Sequence, residues 1–189
     1  MKQNLNKMMC LDLYLSGNEN ITELSYKNSV LDNQLKTLPL ISWDVFSERY
    51  FIELNKAKRA MDIRKIKAYA KRHGWENNLN SIFKSNDFEA IVLTDKSQTI
   101  IWVNEGFTTM TGYSKKETLG QSPRFLQGKR TFKKAISEIA RNLKKGEPFR
   151  SNLVNYRKNK TAYNCEISIY PLFSNKETTH YIALEKEVI

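Results

Sequence analysis

Gly112-Tyr-Ser-Lys-Lys-Glu-Thr-Leu-Gly-Gln-Ser-Pro-Arg-Phe-Leu-Gln-Gly128 is the stretch on which the reading of this chain turns. Ser114, with Glu117 three residues later, has the spacing of a capping box and starts a short helix that Gly120 closes. Pro123 lacks a backbone N–H and disfavours a helical Ser122. Residues 120–128 are therefore too short and too interrupted to form a regular element, and they need a scaffold to hold them.

Strand signals on both sides supply one. Upstream, residues 88–94 hold Ala90-Ile-Val-Leu93, residues 95–98 read as a turn, and residues 99–103 as a second strand of a hairpin. Asn104 is placed to cap a short helix over 105–111, and Gly112 to stop it. Downstream, Phe132, Ile136, Ile139, Ala140 and Leu143 recur near a period of 3.6, which predicts a helix over 131–145 ended by Gly146. Strands are expected over 149–157, 161–170 and 180–184, with Pro171 marking an edge. In the second of these, alternation puts Tyr163, Cys165, Ile167 and Ile169 on one face and Asn164 and Glu166 on the other. The plan is α+β: a five-stranded antiparallel sheet with one face covered by the helices between strands two and three. Trp102, Phe107, Tyr113, Phe125 and Phe132 are assigned to its core.

The first 80 residues read differently, as an all-helical extension. A helix is expected over 21–38 with Leu24, Leu31, Leu35 and Leu38 buried, ended by Pro39. Residues 42–70 hold almost no breaker, but their apolar positions form no single stripe, so this helix is either buried on two faces or bent. Gly74 is its C-cap, and residues 76–80 read as a polar joint. The expected division is 1–80 for the extension and 81–189 for the sheet domain. The net charge is +11. Residues 49–72 carry nine Lys or Arg against Glu53 and Asp62, a net +7, and the remainder reads as thinly spread.

The order of elements resembles the PAS fold, and local sequences support it. Ile91-Val-Leu-Thr-Asp95, Ile101-Trp-Val-Asn104 with Phe107, and Met110-Thr-Gly-Tyr113 followed by Glu117 and Leu119-Gly120 are similar to the family's first strands and helices. Gly120-Gln-Ser-Pro-Arg-Phe-Leu-Gln-Gly128 most resembles the light-oxygen-voltage (LOV) branch, whose pattern here is Gly-x-Asn-Cys-Arg-Phe-Leu-Gln-Gly. Leu153-Val-Asn-Tyr156 and Tyr163-Asn164 match that branch's strands, and the resemblance covers residues 83–187. It implies a flavin mononucleotide (FMN) pocket with a photoactive cysteine. Pro123 stands at the cysteine position and Ser122 at that of the preceding asparagine, so adduct chemistry at 123 is excluded. The resemblance carries phosphate and ribityl contacts onto Arg124 and Gln127, and ring-edge amides onto Asn155 and Asn164. A second phosphate arginine falls on Ala140, beside Arg141; a phenylalanine near the ring falls on Glu166; the signal-relaying glutamine falls on Glu185. Cys165 is expected on the face opposite Asn164 and Glu166, and Arg124 could pair with Glu166 or Glu185.

No acid pair, activated nucleophile or phosphate loop is present, and the resemblance implies a module that is not an enzyme. The preferred reading is a sensory or signalling module with no cofactor. It binds a partner protein, or itself as a homodimer, through the N-terminal helices. Two alternatives stay open: nucleic acid bound by residues 49–72, or FMN or another small ligand held without an adduct. No run is apolar enough for a membrane span. Cys10 and Cys165 form no disulfide framework, and the expected location is cytoplasmic.

Overall fold

The computed structural model describes residues 43–188, and the helix expected over 21–38 lies outside them. The long basic segment is one unbroken helix, α1 (Trp43–His73). It ends on Lys71, Arg72 and His73, cations that suit a helix C-terminus, with Gly74 following at φ 65°. From Glu53 onward the chain forms one compact unit, so the second half of α1 belongs with the sheet. The supposed polar joint conceals α2 (Leu79–Lys84). The Asn78 side chain caps it by accepting from the Ser81 N–H, and Leu79, Ile82 and Phe83 bury one face of it.

The sheet comprises β1 (Ala90–Asp95), β2 (Ile100–Val103), β3 (Phe149–Tyr156), β4 (Ala162–Ser174) and β5 (Glu177–Val188). Its strands are antiparallel in the order β2-β1-β5-β4-β3. Between β2 and β3 lie α3 (Glu105–Thr111), α4 (Lys115–Thr118), a 3-10 turn (Pro123–Leu126) and α5 (Lys133–Lys145). The expected caps are present. Asn104 accepts from the Phe107 N–H, Gly112 closes α3 at φ 77°, Ser114 and Glu117 complete their capping box, and Gly146 closes α5 at φ 68°.

Pro171 sits inside β4 rather than at its end, opposite Tyr181 of β5. This is tolerated because β3 pairs with β4 only as far as Ile169. Beyond that point the Asn77 side chain takes over, donating to the Pro171 carbonyl and accepting from the Phe173 N–H. The missing N–H of Pro171 thus faces away from β5 and removes no ladder bond.

Both faces of the sheet are covered. The helices after β2 lie over Ala90, Val92, Leu153, Tyr163, Cys165 and Ile167, joined by Phe107, Met110 and Leu126. On the other face Ile66 of α1, Trp75, and Leu79, Ile82 and Phe83 of α2 pack on Ile91, Leu93, Ile182 and Leu184. Asn104 ties three elements together. Its carbonyl also accepts from the Ile91 N–H at 2.9 Å, and its amide donates to Asp62 of α1 at 3.0 Å.

Of the aromatics assigned to the core, Phe107 is fully buried, Tyr113 and Phe125 meet edge to face at 4.9 Å, and Trp102 packs on the α1 face. Phe132 does not belong with them, being 72% exposed. Its ψ of 125° makes it the N-cap residue, so it precedes the helix, and its match to the helical period in sequence does not bury it.

Candidate functional site

Between α5, the 3-10 turn and the sheet is a cavity of about 100 Å³. This is smaller than the roughly 300–1,000 Å³ of drug-sized ligand sites, so a larger guest needs α5 or the 3-10 turn to move outward. α5 faces it with Ile136, Ile139, Ala140 and Leu143, and the sheet with Val92, Leu153, Ile167 and Ala183. The polar wall is sparse: Asn155 of β3, Glu185 of β5, and Ser122, Arg124 and Gln127 around the 3-10 turn. Pro123 lines the wall as well, so the position that carries a thiol in the LOV pattern presents a hydrocarbon ring.

Three of the four expected contact residues meet here. Arg124 is exposed at the rim, Gln127 is half-buried, and Asn155 is only 3% exposed. The Asn155 side-chain oxygen is buried and makes no well-formed hydrogen bond, a costly state for an amide.

Asn164 is not among them. It is exposed on the opposite side of the sheet, and Glu166 points the same way, ion-paired with Arg150 at 3.4 Å. The reason is register. Asn155 lies opposite Tyr163, and side chains directly opposite share a face, so Tyr163, Cys165 and Ile167 point toward the cavity side. Cys165 does lie on the face opposite Asn164 and Glu166, as expected, but that face is the cavity side. Because the side-chain period in a strand is two, a shift of one residue in the hairpin after residue 156 exchanges the faces. Arg124 forms no ion pair among the described residues, so the pairing expected with Glu166 or Glu185 is not made.

Glu185 is 3% exposed, and burial raises its pKa to about 7. The Cys165 thiol donates toward its carboxyl at 3.9 Å. Burial and the neighbouring Glu185 carboxylate push that thiol well above its ordinary range, which keeps it protonated and unreactive. The Tyr163 hydroxyl is raised as well, chiefly by burial, and the Arg157 guanidinium lies over the ring at 4.5 Å. This hydroxyl makes no well-formed hydrogen bond, although the Asn155 side chain directly opposite lies near enough to lower its pKa against the effect of burial. Sequence reasoning missed Tyr163 because nothing in the strand itself distinguishes its phase from that of Asn164.

Residues 89–188 match the model of the PAS domain family. The chain belongs to that family. PAS domains of this kind are sensory modules, not catalysts. Over 101 residues the chain is 34% identical to a blue-light photoreceptor of Listeria innocua, covering 52% of this chain and 40% of that one. Over 100 residues it is 34% identical to a nitrogen fixation regulatory protein of Klebsiella oxytoca, covering 52% of this chain and 20% of that one. The chain thus spans well under half the length of these curated relatives. Among solved structures, it superimposes on the dark structure of the blue-light photoreceptor Aureochrome1 LOV with a TM-score of 0.56 at 29% identity, over 60% of this chain and 85% of that one. The LOV domain of an Erythrobacter litoralis blue-light activated histidine kinase gives 0.51 at 27%, over 55% and 97%. The PAS domain accordingly lies on the LOV branch. No helix among the described residues is long and apolar enough to cross a membrane.

Proposed function

We propose that this PAS domain holds a flavin mononucleotide in the cavity beneath α5 and senses light or redox state without a thiol adduct at position 123. One observation carries this reading: the buried oxygen of Asn155, which makes no well-formed hydrogen bond, in the wall of a largely apolar cavity. A planar ring with an N–H on its edge would satisfy that oxygen, and its entry would require α5 to move away from the sheet. The chemistry a flavin supplies is blue-light absorption and reversible uptake of electrons. Arg124 and Gln127, at the rim, are placed for a charged and hydroxylated tail. Asn164 has no part in the site. Glu185, held near neutrality between its two protonation states, supplies a carboxyl at the wall that can donate as well as accept a hydrogen bond. The relatives named as blue-light photoreceptors support the reading.

The test is reconstitution of the full chain with FMN. A yellow complex with quenched flavin fluorescence is expected, bound roughly tenfold more weakly by Asn155→Ala, the loss of about one hydrogen bond. A colourless protein after refolding with FMN refutes the proposal.

We further propose that, within the expected extension 1–80, the part ahead of Glu53 acts as a contact region, while Glu53 onward folds with the sheet as part of the sensor. On α1, Tyr50, Phe51 and Ile52 are 58%, 59% and 47% exposed, and apolar surface of this kind marks an interaction face. A monomeric mass in solution, with no partner retained on a column of the full chain, would remove this reading.

A further inference from the structure

The excess charge of this protein is not confined to α1. Residues 124–145 carry eight Lys or Arg against a single acid, Glu138. All eight are exposed, and none forms an ion pair among the described residues. In the basic stretch of α1, Lys56, Lys58 and Arg59 are engaged with Glu53, Glu105 and Asp87, while Arg64, Lys65, Lys67, Lys71 and Arg72 are exposed and form no ion pair among the described residues. Arg59 additionally caps α2 through the carbonyls of Phe83 and Asn86 and lies over the Phe88 ring at 4.0 Å. Part of the α1 charge is therefore structural, while that of α5 has no internal role.

On α5 the uncommitted cations share one face. Lys133, Lys134, Arg141, Lys144 and Lys145 point to solvent, while Ile136, Ile139 and Leu143 point to the cavity. A helix of 13 residues makes this a ridge about 20 Å long. Its start is also unfavourable in isolation. No side chain caps it, and its first turn holds two lysines and no acid, against the helix dipole. A bound anion at that end would relieve both conditions.

We infer that the outward face of α5 binds the phosphate backbone of duplex DNA, without reading sequence. The composition of the ridge selects this occupant. A protein partner buries an apolar, charge-depleted centre, and here the centre is charged and the one exposed apolar residue, Phe132, lies at the end. A membrane takes the apolar face of an amphipathic helix, and that face of α5 is turned inward against the cavity. A duplex presents one charge per roughly 1.7 Å of axis, so a charged ridge of this length spans several phosphates. The inference does not depend on what fills the cavity.

The experiment is fluorescence anisotropy of a labelled duplex of roughly 20 base pairs with the full chain, across roughly 50–200 mM salt. Binding that weakens steeply with salt is expected, and the variant K133E/K134E/R141E/K144E/K145E should lose on the order of 100-fold in affinity. The variant R64E/K65E/K67E on α1 should lose much less. If the five-fold variant does not fold by circular dichroism, R141Q/K144Q/K145Q should show a smaller loss and a shallower salt slope. Three results would overturn the inference: no DNA binding at the lowest salt, loss through the α1 variant but not the α5 variant, or equal competition by polyglutamate or anionic vesicles at matched charge.

Discussion

On one face of the sheet, Ile66 of α1 and Leu79, Ile82 and Phe83 of α2 close over Ile91, Leu93, Ile182 and Leu184, and none of these eight is more than 8% exposed. On the other, α5 contributes no fully buried residue and stands off a cavity of about 100 Å³. The same strands serve both, since alternate side chains of β1 and β5 go to alternate faces. The difference teaches where stability and responsiveness reside. A close-packed layer resists change because each methylene lost leaves a void, whereas a hollow layer can accept a guest or lose a methyl at small cost.

Truncation should separate the two faces most sharply. Phe83→Ala, on the filled face, should lower unfolding free energy by about 3–5 kcal/mol in urea titrations, while Ile139→Ala, over the cavity, should cost less than about 1 kcal/mol. Equal losses would break the comparison.

A pH effect of somewhat smaller size should arise on the hollow face, opposed in sign by His180 on the filled face, whose pKa burial lowers. The Glu185 carboxyl titrates at its ordinary 4.5 when unfolded and at about 7 when folded. Between those values the folded state holds the extra proton. Its contribution is therefore greatest below 4.5 and falls as pH rises to 7, by about 3 kcal/mol in total. Glu185→Gln should flatten that slope in melting curves measured across the window. An unchanged slope would place the sensitivity elsewhere.

Arg59→Ala should cost about 1 kcal/mol, because it removes the cation over Phe88 and leaves the end of α2 unbonded. The smallest effect on stability should come from Ala140→Phe, which fills the cavity from α5. We expect a change under about 1 kcal/mol together with loss of FMN uptake, read by absorbance after gel filtration. A large destabilisation would show that the space is not available to a side chain.

The sequence reveals what is local. Asn104, Ser114 with Glu117, Gly112 and Gly146 mark element ends through bonds within a few residues, and all are found in those roles. The PAS order of strands and helices is legible for the same reason. Three features are not local. Asn77 and Asn78 look like a joint until one sees that the first satisfies β4 and the second caps α2. Phe132 matches the helical period but precedes the helix. The phase of β4 depends on the register across a hairpin, which alternation within either strand leaves undetermined. Arg124, Gln127 and Asn155 were therefore legible as cavity residues, while Tyr163 and Cys165 took the face expected for Asn164 and Glu166.

The strand order also bears on how this domain comes into being on the ribosome. β5, the last of the five in sequence, lies in the middle of the sheet, between β1 and β4. While the chain is being made, the β1–β2 and β3–β4 pairs emerge first, each with a raw edge, and nothing joins them. Ala183 and Glu185, part of the cavity wall, arrive with that final strand. A guest that touches Ala183 or Glu185 therefore binds only after β5 has emerged. Newly made copies exist for a time as two separate pairs of strands, the interval in which a chaperone, or another copy of the chain, has most access to them.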